Sequence, residues 1–138
     1  MTVFANETQF IEVMQALFTR MEAEDPQAAD GLLKKKLCVL LRCSDPAAVM
    51  MFDGRKRPLT ITYSANDVKP DLDVEVTCDA LHQILLGKLR LSKAVGSKLL
   101  KPNGPVWKVT PLADLFHQAQ KIYPDVARGY GVLWYPSL

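Results

Sequence analysis

Residues 59–104 read LTITYSANDVKPDLDVEVTCDALHQILLGKLRLSKAVGSKLLKPNG, and this stretch decides the fold. Apolar and polar residues alternate over 59–64 and again over 72–77, which predicts two strands that each have one buried and one exposed face. From Asp79 onward the apolar spacing becomes helical, and Gly87 stands where a helix end favours a left-handed residue. The sequence therefore predicts two strands followed by a short helix.

Two nearly all-apolar runs precede this stretch, at 37–43 and 47–52, and residues 44–46 between them have the composition of a turn. We expect the two runs to pair as a hairpin. With the two alternating strands they make four consecutive strands without long helical crossovers, which predicts an antiparallel meander. Because the first two strands do not alternate, both of their faces should be buried. The helices would cover one face, and either the apolar tail at 129–135 or a second copy of the chain, in a homodimer, would cover the other.

An amphipathic helix is predicted near the N-terminus, with Asn6 as its N-cap and Gln9 at the capping-box position. Its apolar stripe consists of Phe10, Met14, Leu17, Phe18 and Met21. A second, short helix is predicted to open at Pro26 and to close at Gly31.

A last helix is predicted near residues 112–123, with Thr110 as its cap, Pro111 in its first turn and Pro124 as its stop. Its apolar stripe consists of Leu112, Leu115, Phe116, Ala119, Ile122 and Tyr123. Both terminal helices thus present one apolar side to the predicted sheet.

After the helix that ends at Gly87, the chain has two lysine–leucine pairs spaced by small residues: Lys88-Leu89, Ala94, Gly96, Lys98-Leu99 and Gly104. This progression resembles the sterol carrier protein type 2 family, and the resemblance covers most of the chain through the order and spacing of loose motifs. The chain departs from the family pattern at 96–104, where one extra residue and Pro102 predict a short fifth strand at a sheet edge. The tail at 129–138 has no counterpart in that pattern.

The resemblance implies an α+β fold for residues 1–138 as one domain, with 124–138 as a C-terminal tail. It implies a five-stranded, mainly antiparallel sheet with helices packed on one face, enclosing an apolar tunnel. It also implies a non-catalytic carrier of sterols, fatty acids, acyl-CoA or phospholipids that needs no cofactor. The alternative is an accessory or scaffold module of a lipid-handling enzyme system, with a vestigial tunnel. The residues expected to line the tunnel are Phe18, Met50, Phe52, Ile61, Val74, Leu81, Leu85, Leu89, Leu112 and Phe116.

Composition agrees with a single globular domain, since 138 residues are 49% hydrophobic and 23% charged. No apolar run approaches the ~18 residues that span a bilayer, and the first residues do not read as a secretory signal. Cytoplasm is therefore expected. Three cysteines are an odd number, which favours reduced thiols. Cys38 and Cys43 are five residues apart on one predicted strand, so they should face opposite sides and form no disulfide.

The net charge of +2 hides an uneven distribution. Residues 1–33 contain one basic and six acidic residues, whereas the basic residues of the remainder cluster at 34–36, 55–57 and 88–101. These clusters suit transient contact with an anionic membrane surface, although solvated loops have the same composition. Nucleic acid is not an expected partner, because the basic runs are not interleaved with aromatic residues and the pI of 8.4 is modest.

No catalytic constellation stands out in the sequence. His82 and His117 are each alone on a helix, where a histidine is usually partly exposed, and no C-x-x-C pair indicates a metal site. Cys78 lies one helical turn before His82, which leaves a small enzyme acting on a lipid-like substrate as a further alternative.

Overall fold

A computed structural model describes residues 3–64 and 69–132. The helices are α1 (Glu7–Glu24), α2 (Asp30–Lys34), α3 (Cys78–Leu85), α4 (Leu91–Gly96), α5 (Thr110–Ala119) and α6 (Tyr123–Gly129), with 3₁₀ turns at Pro26–Ala29 and Val106–Val109. The strands are β1 (Cys38–Ser44), β2 (Ala48–Asp53), β3 (Thr60–Thr62), β4 (Leu72–Thr77) and β5 (Leu100–Asn103). This is the predicted α+β class. None of the helices described is long and apolar enough to cross a membrane.

The five strands form one sheet in the order β3-β2-β1-β4-β5. The predicted β1–β2 hairpin is confirmed, and the β2–β3 and β4–β5 pairs are also antiparallel. β4, however, runs parallel to β1, with Val39 opposite Leu72. The predicted meander is therefore wrong, because the chain leaves β3 at one edge and returns as β4 on the far side of β1. Alternation indicates which face of a strand is buried but not which strand lies beside it.

The predicted register of the alternating strands is confirmed. Val74 of β4 is fully buried in the main core, while its neighbour Glu75 is exposed. Ile61 of β3 is half-buried against the same core, and Thr60 beside it is exposed. A shift of one residue would have buried Thr60 and Glu75 instead.

The strands β1 and β2 have buried residues on both faces, as their lack of alternation predicted, but Arg42 and Ser44 of β1 are exposed. Cys38, Leu40 and Met51 form a small buried cluster that is separate from the main core. Cys43 belongs to the main core, so the two cysteines of β1 lie on opposite faces, and all three thiols of the chain are free. Of the tail at 129–135 that was expected to cover the second face, Val132 packs in the main core instead, and residues 133–135 lie outside the described residues.

Capping of α1 follows the predicted scheme. The side chain of Asn6 accepts a hydrogen bond from the backbone N–H of Gln9 at 2.9 Å. The side chain of Gln9 in turn accepts one from the N–H of Ala5 at 2.7 Å, one residue before the usual capping-box partner. The predicted stripe of α1 is buried in the core.

Three predicted helix boundaries are wrong. Gly31 lies inside α2, where a Cβ would come within 3.3 Å of the Cβ of Pro111, so this glycine lets α2 approach α5 closely. Thr110 is the first residue of α5 and makes no side-chain cap. α5 ends at Ala119, and Pro124 lies in the first turn of α6, a position that needs no N–H donor.

The predictions for the glycine cap and for the edge strand are confirmed. Gly87 follows α3 with a φ of 77°, which an L side chain rarely adopts. β5 has four residues and lies at the sheet edge, where Pro102 lies opposite Val74. An edge position tolerates the missing N–H of a proline.

Candidate functional site

A cavity of about 320 Å³ lies beside the C-terminal end of α1, next to the first 3₁₀ turn, α2 and β3. Its size falls at the lower end of the range of small-molecule sites. The residues that line it are Phe18, Met21, Glu22, Asp25, Pro26, Ala28, Ala29, Leu33, Arg57, Pro58, Leu59, Ile61 and Leu115.

The wall of the cavity is mainly hydrocarbon. Phe18 and Met21 come from the buried stripe of α1, and Leu115 comes from the buried stripe of α5. Ile61 closes the opposite side from the inward face of β3. An apolar wall of this kind binds hydrocarbon well and gives polar ligands few partners.

Small side chains leave the cavity open. Ala28 and Ala29 are half-buried in the 3₁₀ turn that Pro26 starts, and both reach the cavity with only a methyl group. β3 is only three residues long and lies at the sheet edge, so Ile61 is the one apolar side chain that this strand provides. The space between α1 and this end of the sheet is therefore not filled by side chains.

Charged residues stand at the mouth. Glu22 and Arg57 are exposed, and Asp25 is half-buried. The side chain of Arg57 is 65% exposed, and its guanidinium donates to a carboxylate oxygen of Asp30 at 3.4 Å, at the long end of a hydrogen bond. Arg57 can therefore exchange this contact for an anionic group, since a guanidinium binds carboxylate and phosphate oxygens with two parallel hydrogen bonds.

An aromatic cluster connects the cavity wall with the core. The rings of Phe18 and Phe52 meet edge to face with their centroids 5.5 Å apart, and Phe52 meets Phe116 in the same way at 6.3 Å. Phe52 and Phe116 are buried and lie behind the wall that Phe18 forms. Edge-to-face pairs at these distances are favourable, and they lead from the cavity toward the centre of the sheet.

Solved structures share this architecture. A sterol carrier protein domain 2 from Helicoverpa armigera matches with a TM-score of 0.64 and 19% identity, over 82% of this chain and 89% of the other. A palmitated SCP2L2 from Aedes aegypti matches with a TM-score of 0.58 and 19% identity, over 76% of this chain and 91% of the other. The chain has the sterol carrier protein 2 fold.

A further structure with this fold is a UbiJ-SCP2 ubiquinone synthesis protein, with a TM-score of 0.53 and 14% identity over 69% of this chain and 75% of the other. No protein-family model matches the sequence. No curated protein matches it either. The resemblance stated from the residue pattern is thus confirmed at the level of the fold.

Within the sterol carrier protein 2 fold, the cavity includes two of the ten predicted lining residues, Phe18 and Ile61. Leu89 is half-buried and packs against the core. The other seven lie buried in the main core and do not line this cavity: Met50, Phe52, Val74, Leu81, Leu85, Leu112 and Phe116. The described cavity thus reaches only one end of the layer where a tunnel was predicted.

Sequence reasoning missed most of the mouth. Arg57 and Pro58 precede β3, and Ala29 lies in the 3₁₀ turn; none of the three belongs to a periodic apolar stripe. Leu59 belongs to the alternating run at 59–64 but was not among the predicted lining residues. A usable signal was present in Ala28 and Ala29, because two small residues within the turn that Pro26 opens cannot fill an adjoining space. Periodicity identifies the side chains that pack in the core, but it does not identify where side chains leave a cavity.

His82 and Cys78 lie away from the cavity. His82 is fully buried, which contradicts the expected partial exposure, because α3 is covered on this side by Phe4 and Tyr123. Its Nδ1 lies 2.6 Å from the Tyr123 hydroxyl. The thiol of Cys78 donates to the carbonyl of Pro46 at 3.2 Å. Both side chains thus make these hydrogen bonds with other parts of the protein.

Burial raises the pKa of the Tyr123 hydroxyl, which is the partner of His82, above its ordinary value. A hydrogen bond with Cys78, together with burial, raises the pKa of the Cys43 thiol. Cys78 and His82 are both buried, and their contacts with Pro46 and Tyr123 lie inside the protein, so the geometry gives no support to an enzyme that uses them.

Proposed function

We propose that this chain is a non-catalytic carrier that binds a lipid with a long hydrocarbon chain in the cavity beside α1. The observation that carries the proposal is an apolar cavity with one arginine at its mouth, in the sterol carrier protein 2 fold. Fatty acids, acyl-CoA, phospholipids and sterols all present a large apolar part and a polar end. The palmitated state of the Aedes aegypti protein supports a fatty-acyl ligand among these.

Chain length is expected to dominate affinity. Burying hydrocarbon contributes about 0.8 kcal/mol per methylene, so a chain of about sixteen carbons gains around 12 kcal/mol gross and one of about eight gains half of that. Association itself costs about 4–15 kcal/mol. Since this cost changes little with chain length, only long chains should bind with measurable affinity.

The rest of the predicted lining forms an inner wall in this proposal. Its members are Met50, Phe52, Val74, Leu81, Leu85, Leu89, Leu112 and Phe116. A cavity of about 320 Å³ is small for a full-length acyl chain with its headgroup. Rotation of Phe52 and Phe116, and of the flexible side chain of Met50, would admit the remainder of the chain toward this wall.

The polar end of the ligand would stay at the mouth beside Arg57. Such a carrier would act in the cytoplasm and exchange its lipid at membrane surfaces. A homodimer formed through the second face of β1 and β2 is compatible with this role, because that face lies opposite the main core. No nucleic acid and no cofactor take part.

Filling the cavity tests the proposal. Ala29→Phe places a ring where only a methyl group now stands, whereas Ala23→Phe makes the same change on the exposed side of α1. Displacement of a fluorescent fatty acid should be at least tenfold weaker in Ala29→Phe and unchanged in Ala23→Phe, with thermal melting recorded for both. Equal affinity in a folded Ala29→Phe variant would place the lipid elsewhere.

An accessory module of a lipid-handling enzyme system is the second candidate. The UbiJ-SCP2 ubiquinone synthesis protein has the same fold, and Trp107 and Val106 are exposed in a way that suits a partner. A wild-type protein that displaces no fatty acid, acyl-CoA or sterol would favour this candidate over the carrier.

A further inference from the structure

Two basic segments that are separate in sequence lie side by side. The turn at 34–36 begins at the last residue of α2, and the loop at 55–57 follows β2. The N–H of Gly54 donates to the carbonyl of Leu37 at 2.8 Å. A Cβ on Gly54 would lie 2.8 Å from the carbonyl oxygen of Leu32, so only a glycine allows this approach. Six lysine and arginine side chains are thereby brought to one region of the surface.

An exposed indole extends this region. Trp107 is 59% exposed in the second 3₁₀ turn, and Val106 beside it is exposed to the same extent. The amines of Lys35 and Lys108 lie 5.9 and 5.7 Å from the centre of the Trp107 ring. We call the continuous surface made by residues 34–36, 55–57 and 106–108 the docking face.

The docking face carries an excess of positive charge. Among the residues that the structure describes, ion pairs join Arg55 to Asp53 and Arg57 to Asp30. None joins the five lysines of the face to a carboxylate in that part of the chain. Their charges are thus available to an external anion, and they surround an apolar group.

We propose that the docking face binds the surface of a membrane that contains anionic phospholipids, with Trp107 at the level of the headgroups. An amphipathic indole flanked by lysines fits the boundary between hydrocarbon and water. The negative potential of such a surface attracts each basic residue and raises the partition coefficient by roughly fivefold per residue. The chemistry of the face thus complements this partner in both charge and polarity.

Helix α1 is also amphipathic, but it does not suit this partner. Its apolar stripe is buried in the core. Its exposed side carries Glu7, Glu12, Glu22 and Glu24, and Arg20 is paired with Glu24. An anionic surface would repel the exposed side of this helix, whereas it would attract the docking face.

The mouth of the cavity adjoins the docking face. Arg57 belongs to the face and lines the cavity, and Leu33 of the lining directly precedes the turn at 34–36. A membrane bound to this face would lie next to the opening through which a lipid enters. The inference rests on the proposed function for this role in lipid exchange, while the binding itself can be measured without any ligand.

Sedimentation with vesicles of phosphatidylcholine, with and without phosphatidylserine, tests the charge. Lys34→Glu/Lys36→Glu reverses two lysines of the face, and Lys93→Glu/Lys98→Glu reverses two exposed lysines at α4. The two pairs are matched, because each contains one helical residue and one residue of positive φ. We expect the first variant to lose binding to the anionic vesicles by at least tenfold and the control to lose less than about threefold.

Tryptophan emission tests the placement of the indole. The chain has two tryptophans, so a Trp134→Phe variant reports on Trp107 alone. Its emission should shift to shorter wavelength on anionic vesicles and be quenched by brominated lipids. Trp107→Ala should weaken vesicle binding, while Tyr130→Ala, which removes another exposed aromatic residue, should not.

Several results would overturn the inference: no partitioning of the wild type onto anionic vesicles, equal losses in both charge-reversal variants, or unchanged Trp107 emission. Tight binding of a single-stranded oligonucleotide through Trp107, without vesicle binding, would assign the face to nucleic acid instead. Fatty-acid displacement without vesicles separates this inference from the carrier function. Lys34→Glu/Lys36→Glu should keep its affinity for the fatty acid, and Ala29→Phe should keep its binding to vesicles.

Discussion

The hydroxyl of Tyr123 and Nδ1 of His82 lie 2.6 Å apart in the core, and this contact joins α6 to α3. Both side chains are fully buried, and their rings meet edge to face with the centroids 5.4 Å apart. The pair therefore fixes α6 against α3, the helix that follows β4. It holds the fold together at a distance from the cavity.

Removing this contact should destabilise the protein. Tyr123→Phe leaves a buried imidazole nitrogen without its hydroxyl partner, and we expect a loss of about 1–3 kcal/mol in the free energy of unfolding. Urea denaturation measures it, and Tyr130→Phe, at an exposed tyrosine, serves as the control. A loss below about 0.5 kcal/mol would show that the contact contributes little.

The same tyrosine predicts a loss of stability in alkaline solution. Burial raises the pKa of Tyr123 above the ordinary 10.0, so the folded state favours the protonated hydroxyl. This stabilisation is complete below pH 10 and is lost as the pH rises above that value, because the unfolded state ionises first. Melting temperatures of the wild type should fall more steeply above pH 10 than those of Tyr123→Phe. Parallel curves would contradict the assignment.

Substitution by alanine should have opposite effects on stability at Gly54 and at Gly96. A Cβ on Gly54 would meet the carbonyl oxygens of Leu32 at 2.8 Å and Leu37 at 2.9 Å, so Gly54→Ala should destabilise the fold. Gly96 ends α4, and a Cβ there meets nothing within 4 Å, so Gly96→Ala should be neutral or stabilise by about 0.4–1 kcal/mol. Chemical denaturation of both variants checks the contrast, and equal effects would refute it.

Tryptophan substitutions separate the cavity from the core. Ile61 lines the cavity and is half-buried, so Ile61→Trp should retain a melting temperature near that of the wild type and lose fatty-acid binding. Leu85 is fully buried in the core, so Leu85→Trp should cost about 1–3 kcal/mol or more through overpacking. A stable Leu85→Trp variant with unchanged affinity for the fatty acid would show that the acyl chain does not reach the inner wall at α3.

Arg57 should distinguish acids from neutral lipids. We expect Arg57→Gln to weaken the binding of a long-chain fatty acid by about two- to fivefold, which corresponds to the free energy of a solvent-exposed ion pair. Its affinity for the corresponding fatty alcohol should not change. Arg42→Gln, at an exposed arginine paired with Asp73, is the matched control in a displacement titration. Equal losses for acid and alcohol would show that Arg57 does not contact the headgroup.

Local sequence signals predicted the parts of the fold that depend on neighbouring residues. The alternation around Val74, the cap at Asn6 and the positive φ of Gly87 each follow from a few consecutive side chains. The parallel pairing of β1 with β4 could not be read in this way, because a strand's own pattern does not name its neighbour. Gly31 and Pro124 were misread since close packing and a new helix start use the same residues as a helix end.

The same distinction between local sequence signals and tertiary placement applies to the candidate site. Phe18 and Ile61 were predicted because they belong to a helical stripe and to an alternating strand. Arg57 and Ala29 were not, since the mouth brings together a loop and a 3₁₀ turn that only the tertiary structure places side by side. A space between elements arises from what side chains fail to fill, and no pattern within one element reports it.

Native mass spectrometry of the purified protein tests the central claim most directly. The spectrum of the wild type should contain a species heavier than the polypeptide by the mass of one long-chain lipid, which collisional activation releases. The Ala29→Phe variant should lack that species, and the Ala23→Phe variant should retain it. A wild-type protein that is free of lipid, and that remains so after incubation with fatty acids, acyl-CoA and sterols, would contradict the carrier function.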